Sequence, residues 1–119
     1  MNITLASLFQ LLSDETRLRS LVLMQQHGEL CVCELMQVMQ LVQPKISRHL
    51  ALLRDASLVT DRRQGQWIYY QLNPELPLWL KQIIETASQQ SALETAFAQD
   101  EKNMQLMLNR AKQNICTTA

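Results

Sequence analysis

The chain has 119 residues, of which 47% are hydrophobic and 18% charged, and it contains only two glycines and three prolines. This composition excludes a disordered chain, a collagen-like chain and a loop-rich disulfide scaffold, and it indicates one mostly helical domain. The formal net charge is zero, but residues 45–66 hold five basic and two acidic side chains. Positive charge is therefore concentrated in the middle of the chain, where nucleic acid is one possible partner.

Membrane and export signals are absent from the sequence. No apolar stretch approaches the roughly 18 residues that a membrane span needs, and the first ten residues lack the features of a signal peptide. We therefore expect a cytoplasmic protein with no membrane partner. Cys31, Cys33 and Cys116 are an odd number of cysteines, and in a reducing compartment they are expected to act as thiolates rather than as a disulfide framework.

The first third of the chain predicts three helices. Apolar residues recur at helical spacing in residues 5–12. Ser13 is the predicted cap of a second helix that runs to about Gln26. The run CVCELMQVM predicts a short third helix, with Cys31 and Cys33 in its first turn or just before it. In a regular helix, residues i and i+2 lie about 200° apart, so binding one ion through both thiols would require the first turn to unwind or tilt.

A fourth helix and a hairpin follow. Gln43 is a suitable cap and Pro44 a suitable first residue for a helix that runs to about Asp55. Its predicted buried stripe is Ile46, Leu50 and Leu53. Residues 58–72 predict two strands around a polar tip, with Gly65 supplying the positive φ of a tight turn. At least one of the hairpin aromatics is expected to pack on the helices; these are Trp67, Tyr69 and Tyr70.

The pattern returns to helix from about Leu78 to Arg110, with a possible kink or junction at residues 89–93. The residues predicted to lie in register along it are Trp79, Ile83, Ile84, Ala87, Leu93, Phe97, Met104 and Met107. Together the elements predict a mainly α fold with a small β-hairpin, in the order α-α-α-α-β-β-α, which is a winged helix-turn-helix. We expect residues 1–92 to form the DNA-binding domain and residues 93–119 a C-terminal helical extension and tail.

This fold predicts which side chains would contact DNA. The fourth helix would enter the major groove by its N-terminal half, and the hairpin would rest on the backbone or in the minor groove. The candidates are Gln43, Lys45, Ser47, Arg48 and His49 on the helix and Arg62, Arg63, Gln64 and Gln66 on the hairpin. Basic residues in such places also occur as an ordinary solvated surface, and His49, beside Leu50, also fits a role as a hydrogen-bonded packing residue.

The runs ELCVCEL, SRHLALL and RRQGQWIYYQL resemble the ArsR family of metal- and metalloid-responsive repressors, specifically its arsenite-responsive members. The likeness covers about residues 4–88. It implies a homodimer, with the first and last helices at the interface, that binds operator DNA and releases it when trivalent arsenic or antimony binds the cysteines. Cys31 and Cys33 are the implied principal ligands, and thiolates favour soft or thiophilic ions. No organic cofactor is expected.

One position departs from the family pattern. Members often carry a third cysteine where this chain has Met36, so the third ligand would be solvent, a small thiol or Cys116. A free tail thiol is the alternative interpretation of Cys116. Two buried small hydrophobes at a strand–helix junction are the alternative for Cys31 and Cys33.

Other functions remain open from the sequence. A cadmium, lead or zinc sensor of the same fold is the nearest rival, although residues 78–119 contain no histidine and no cysteine precedes Cys31. A repressor controlled by a reversible disulfide, or a purely structural dimerisation module, are further alternatives. We see no catalytic acid–base arrangement around the cysteines and expect no enzyme activity.

Overall fold

Six helices and one three-stranded sheet form residues 3–110, the part of the chain that the computed structural model describes. In chain order they are α1 (Leu5–Leu12), α2 (Glu15–His27), β1 (Leu30–Cys31), α3 (Val32–Met39), α4 (Gln43–Asp55), β2 (Val59–Gln64), β3 (Trp67–Leu72), α5 (Leu78–Ser91) and α6 (Thr95–Asn109). The predicted mainly helical class with its winged helix-turn-helix is confirmed. Within these residues no helix is long and apolar enough to cross a membrane.

Two helix starts differ from the prediction by one residue. Asp14, not Ser13, caps α2, because its carboxylate accepts a hydrogen bond from the Arg17 backbone N–H at 3.1 Å. A carboxylate there also interacts favourably with the positive end of the helix dipole. Helix α4 begins at Gln43, so this residue lies inside the helix rather than at its cap and Pro44 is the second helical residue.

The hairpin is joined by a third strand that the sequence pattern did not predict. Strands β2 and β3 pair antiparallel, with Gln64 opposite Trp67, and Gly65 in the turn has the predicted positive φ of 61°. Strand β1 has only two residues and pairs with the other edge of β3, so the strand order is β1-β3-β2. A strand this short has no periodicity to detect. Because Cys31 belongs to β1, the sheet extends to the first of the two cysteines.

One hydrophobic core joins the helices to the sheet. The predicted stripe of α4 is 0% exposed at each of its residues, Ile46, Leu50 and Leu53. Tyr70 is 4% exposed and belongs to the same buried cluster, which confirms the packing role predicted for at least one hairpin aromatic. Helix α4, which is the predicted major-groove helix and is called the reading helix, is therefore held in place by apolar contacts on its inner face.

The predicted C-terminal helix is two helices. Helix α5 ends at Ser91 and α6 begins at Thr95, so the chain turns next to the predicted junction. Four of the residues predicted to lie in register are buried, namely Ile84, Phe97, Met104 and Met107. Two others are exposed, since Leu93 is 79% exposed and Trp79 is 39% exposed. Leu93 lies in the connection between α5 and α6, and α6 then packs on α3.

Candidate thiol site and nucleic-acid interface

Cys31 lies at the junction between a strand and a helix. It is the second residue of β1 and the capping residue of α3, with an extended backbone (φ −86°, ψ 164°), and it is 4% exposed. Only Cys33 has a helical position, as the second residue of α3. The sequence argument that both thiols diverge around one regular helix is therefore wrong, because the chain leaves the helix at the first of them.

A capping box holds this junction together. The Cys31 backbone N–H donates to Oε1 of Glu34 at 2.9 Å, and the Cys31 sulfur accepts from the Glu34 backbone N–H. These bonds satisfy N–H groups that have no partner within a helix. Sulfur is a weak acceptor, so a thiophilic ligand on Cys31 would replace the weaker half of this cap. Sequence reasoning missed Glu34, although Cys-x-x-Glu has the spacing of a capping box.

The described thiol site is a pair. Cys33 is half-buried, and neither Cys31 nor Cys33 is in a disulfide. Met36, one turn further along α3, packs against the core. Within residues 3–110, no group of three or more His, Cys, Asp or Glu side chains is arranged to hold a metal ion. Cys116, the predicted third ligand, lies outside the described residues.

The far end of α3 is anchored by side chains from two other helices. Asn103 donates from Nδ2 to the Val38 carbonyl at 2.8 Å, and Arg19 donates from Nη2 to the Met39 carbonyl at 3.1 Å. Arg19 is itself held by Asp100, which is 2% exposed and accepts from its Nε and Nη2 at 2.7 Å each. The last carbonyls of a helix otherwise lack protein partners. The C-terminal end of α3 is thus held by side chains from other helices, whereas the end that carries the cysteines is capped from within, by Cys31 and Glu34.

Helix α4 presents the predicted reading side chains to solvent at its N-terminal half. Gln43, Lys45 and Arg48 are exposed and Ser47 is half-buried. Gln43 donates from Nε2 to Oγ of Ser47 at 2.8 Å, so these two polar side chains are linked on the helix surface. A face with these groups offers donors and acceptors suited to base edges and phosphates in the major groove. Helix α3 packs directly against α4.

His49 faces inward. It is 7% exposed, and its Nδ1 accepts from Nη1 of Arg17 at 3.1 Å and lies 3.7 Å from Oδ1 of Asp14. Burial lowers the pKa of His49 below its ordinary value, against the opposing effect of Asp14. This environment agrees with the packing interpretation, and it places the ring beneath the surface that Lys45 and Arg48 form. Sequence reasoning missed Arg17, which no local pattern links to a residue 32 positions away.

The four predicted wing residues are all exposed, but they differ in their side-chain partners. In the described part of the chain, Arg63 and Gln66 have no side-chain hydrogen bond or ion pair. Arg62 instead makes a two-pronged ion pair with Glu29, from Nε to Oε2 at 2.8 Å and from Nη2 to Oε1 at 2.7 Å. Its Nη1 donates to Oε1 of Gln64 at 2.6 Å. Sequence reasoning missed Glu29, which immediately precedes β1.

Comparison with known proteins relates the chain to a group of bacterial regulators. Residues 14–61 match the pattern described as bacterial regulatory protein, arsR family. The chain is 55% identical over 87 residues to the arsenic resistance transcriptional regulator ArsR2 of Pseudomonas putida, which covers 73% of this chain and 76% of that protein. It is 45% identical over 107 residues to the arsenical resistance operon repressor of Escherichia coli, which covers 90% of this chain and 85% of that protein.

Solved structures extend the likeness to the fold. HlyU from Vibrio cholerae matches with a TM-score of 0.62 and 32% sequence identity, over 70% of this chain and 86% of that one. The residues matched by the family pattern run from the cap of α2 into β2. They therefore include the thiol pair and the whole reading helix.

Proposed function

Because the chain belongs to the arsR family of bacterial regulatory proteins, we propose that it is a homodimeric transcriptional repressor released from its operator by arsenite or antimonite. In this proposal α4 and the β2–β3 hairpin bind double-stranded DNA, and Cys31 and Cys33 bind the trivalent metalloid. The two functions meet in one place, since the thiols lie where β1, part of the wing sheet, leads into α3, which packs on the reading helix. That juxtaposition carries the proposal.

The thiols of Cys31 and Cys33 suit a trivalent metalloid. Each thiol would replace one hydroxide of arsenous or antimonous acid, and the thiol proton would leave with that hydroxide as water, so no oxidant or reductant is required. Soft sulfur ligands favour such a centre over Mg²⁺ or Ca²⁺. Two thiols leave one position for solvent, a small thiol or Cys116, and the last of these is part of the proposal.

Ligand binding would act at the start of α3. Using the Cys31 sulfur as a ligand removes its hydrogen bond from the Glu34 N–H. Loss of an oxygen cap costs about 0.5–2 kcal/mol, and the weaker sulfur acceptor places this loss at the lower end of that range. The other end of α3 is held by Arg19 and Asn103. We infer that the first turn of α3 and the adjoining β1 change position while the C-terminal end of α3 does not move. This movement changes the positions of α4 and the wing relative to the DNA.

The dimer is proposed from the exposed apolar side chains of the first and last described helices. Leu5 and Phe9 of α1 are 57% and 53% exposed, and Leu106 and Leu108 of α6 are 49% and 45% exposed. Leucine and phenylalanine side chains are usually buried, and a second copy of the chain would cover them. A two-fold dimer would present two copies of α4 to a pseudo-palindromic operator.

Fluorescence anisotropy of the protein on its upstream DNA tests the function directly. Titration with arsenite or antimonite should release the wild-type protein, and cadmium and zinc should be less effective. Cys31→Ser and Cys33→Ser should bind DNA as wild type but resist release. Cys116→Ser tests the proposed third ligand: an altered response identifies Cys116 as that ligand, and an unchanged response refutes this part of the proposal and leaves two thiols sufficient.

Three results would contradict the proposal. Tight DNA binding that ignores arsenite and antimonite would leave the DNA reader without this inducer. Loss of DNA binding in both serine variants would make the cysteines structural residues. A disulfide that forms on mild oxidation and abolishes DNA binding, without any arsenite response, would favour the redox-controlled repressor.

A further inference from the structure

Arg62 and Cys31 lie at the same register position across the three strands of the sheet. The strand register places Cys31 of β1 opposite Tyr69 of β3, and Tyr69 opposite Arg62 of β2. Residues directly opposite in antiparallel strands project from the same face. The Arg62 guanidinium lies over the Tyr69 ring, with its central carbon 4.6 Å from the ring centroid. A thiol ligand of the proposed site and a wing cation are therefore separated by one tyrosine.

The Glu29–Arg62 ion pair makes a second connection across the same sheet. Strands β1 and β2 are not neighbours, since β3 lies between them. Glu29 is two residues before Cys31, and its carboxylate reaches over the sheet to Arg62. A two-pronged arginine–carboxylate pair fixes direction as well as distance.

We propose that Glu29 is a positioning residue that, through Arg62, couples displacement of the Cys31 strand to displacement of the DNA-binding wing. This inference rests on the proposed function and adds to it a path to the wing, separate from the packing of α3 on α4. A two-residue strand has few backbone bonds with which to move a hairpin, and the ion pair supplements them. When the inducer moves Cys31, the pair moves the base of the wing with it.

Arg63 provides a matched control within the same strand. It is exposed and, as the next residue of β2, projects from the opposite face. Within residues 3–110 the structure gives it no ion pair, whereas Arg62 is committed to Glu29. Substituting Arg63 therefore removes one positive charge from the wing without touching the connection to β1.

The experiment measures operator affinity with and without saturating arsenite, at one salt concentration, and takes the ratio of the two dissociation constants as the response. Glu29→Gln and Arg62→Gln should each reduce the response about two- to fivefold, the range expected for a partly exposed ion pair. The double variant should reduce it no further than either single change, because both remove the same interaction. Arg63→Gln should weaken DNA binding in both states and leave the response unchanged.

Two further measurements separate positioning from simple loss of structure. Arg62→Lys keeps the positive charge but loses the planar guanidinium that makes two hydrogen bonds to Glu29. It should therefore reduce the response in the same way as Arg62→Gln. Reciprocity requires that the ratio of arsenite affinities of free and DNA-bound protein falls by the same factor. Thermal unfolding of the variants should remain close to that of wild type.

The possible failures are distinguishable. If wild-type protein binds DNA but does not respond to arsenite, the proposed function fails and this coupling fails with it. If wild type responds and Glu29→Gln responds equally, the coupling alone is refuted. Additive losses in the double variant, or an equal loss in Arg63→Gln, would also refute it, because charge rather than the specific pair would then explain the effect.

Discussion

Replacing Asp100 with asparagine tests how α6 is held on α3. Asp100 is 2% exposed and accepts two 2.7 Å hydrogen bonds from Arg19, whose side chain is 13% exposed. Removing one charge of such a buried pair leaves the other uncompensated and costs about 3–5 kcal/mol. Asparagine keeps an acceptor oxygen and Arg19 keeps the Met39 carbonyl, so we expect a loss near 3 kcal/mol. For a chain of this size, that loss lowers the Tm by roughly 10–15 °C.

Urea and thermal unfolding followed by circular dichroism measure this loss. Wild type, Asp100→Asn and the control variant must be compared at one protein concentration, since dimerisation makes the unfolding transition depend on concentration. Asp55→Asn is the matched control, because Asp55 lies 3.5 Å from Arg54 with side-chain exposures of 72% and 42%. Exposed pairs contribute little, so the control should unfold close to wild type. Equal destabilisation by the two changes would refute the claim that the buried pair anchors α6.

The remaining predictions concern the DNA surface, pH and the hairpin turn. Arg48→Ala should weaken operator binding, and it should reduce the slope of log affinity against log salt by about one if Arg48 contacts a phosphate. A filter-binding or anisotropy assay measures both quantities, and Lys102→Ala on α6 is the control that should change neither. Equal effects of the two substitutions would refute the assignment of the α4 surface as the DNA-binding face. Burial lowers the pKa of His49 from the ordinary 6.5, so the unfolded chain binds the histidine proton at a higher pH than the folded chain does. The free energy of unfolding should therefore fall as pH decreases below 6.5. His49→Asn should flatten this dependence of the free energy of unfolding on pH, and an unchanged slope would contradict the buried, neutral state of His49. Gly65 has φ 61°, and the space around its Cβ position is open. Gly65→Ala should therefore lower the free energy of unfolding by about 1 kcal/mol through backbone strain alone. An unchanged Tm in thermal unfolding would mean that the turn adopts another conformation without strain.

The sequence by itself determined most of the helices and the hairpin, and it predicted the side-chain chemistry of the proposed site. Apolar residues at helical spacing identified α4 and its buried stripe, Ile46, Leu50 and Leu53, because one buried face imposes that period. Glycine at position 65 identified the hairpin turn, because few other residues accept a positive φ. Two cysteines ahead of a basic helix predicted a thiol site beside a DNA-binding helix, and the resemblance to the ArsR family assigned a trivalent metalloid to it.

Only the tertiary structure decided how these parts are connected. Strand β1 exists because β3 offers it an edge, and two residues carry no periodicity that could predict it. The partners of Arg62, Arg17 and Arg19 lie 33, 32 and 81 residues away in the chain. A local pattern reports which face of an element is buried, but it does not report which distant group will neutralise a charge there. For that reason the sequence identifies the thiols and the reading helix separately, and only the folded chain shows that Cys31 adjoins the wing sheet.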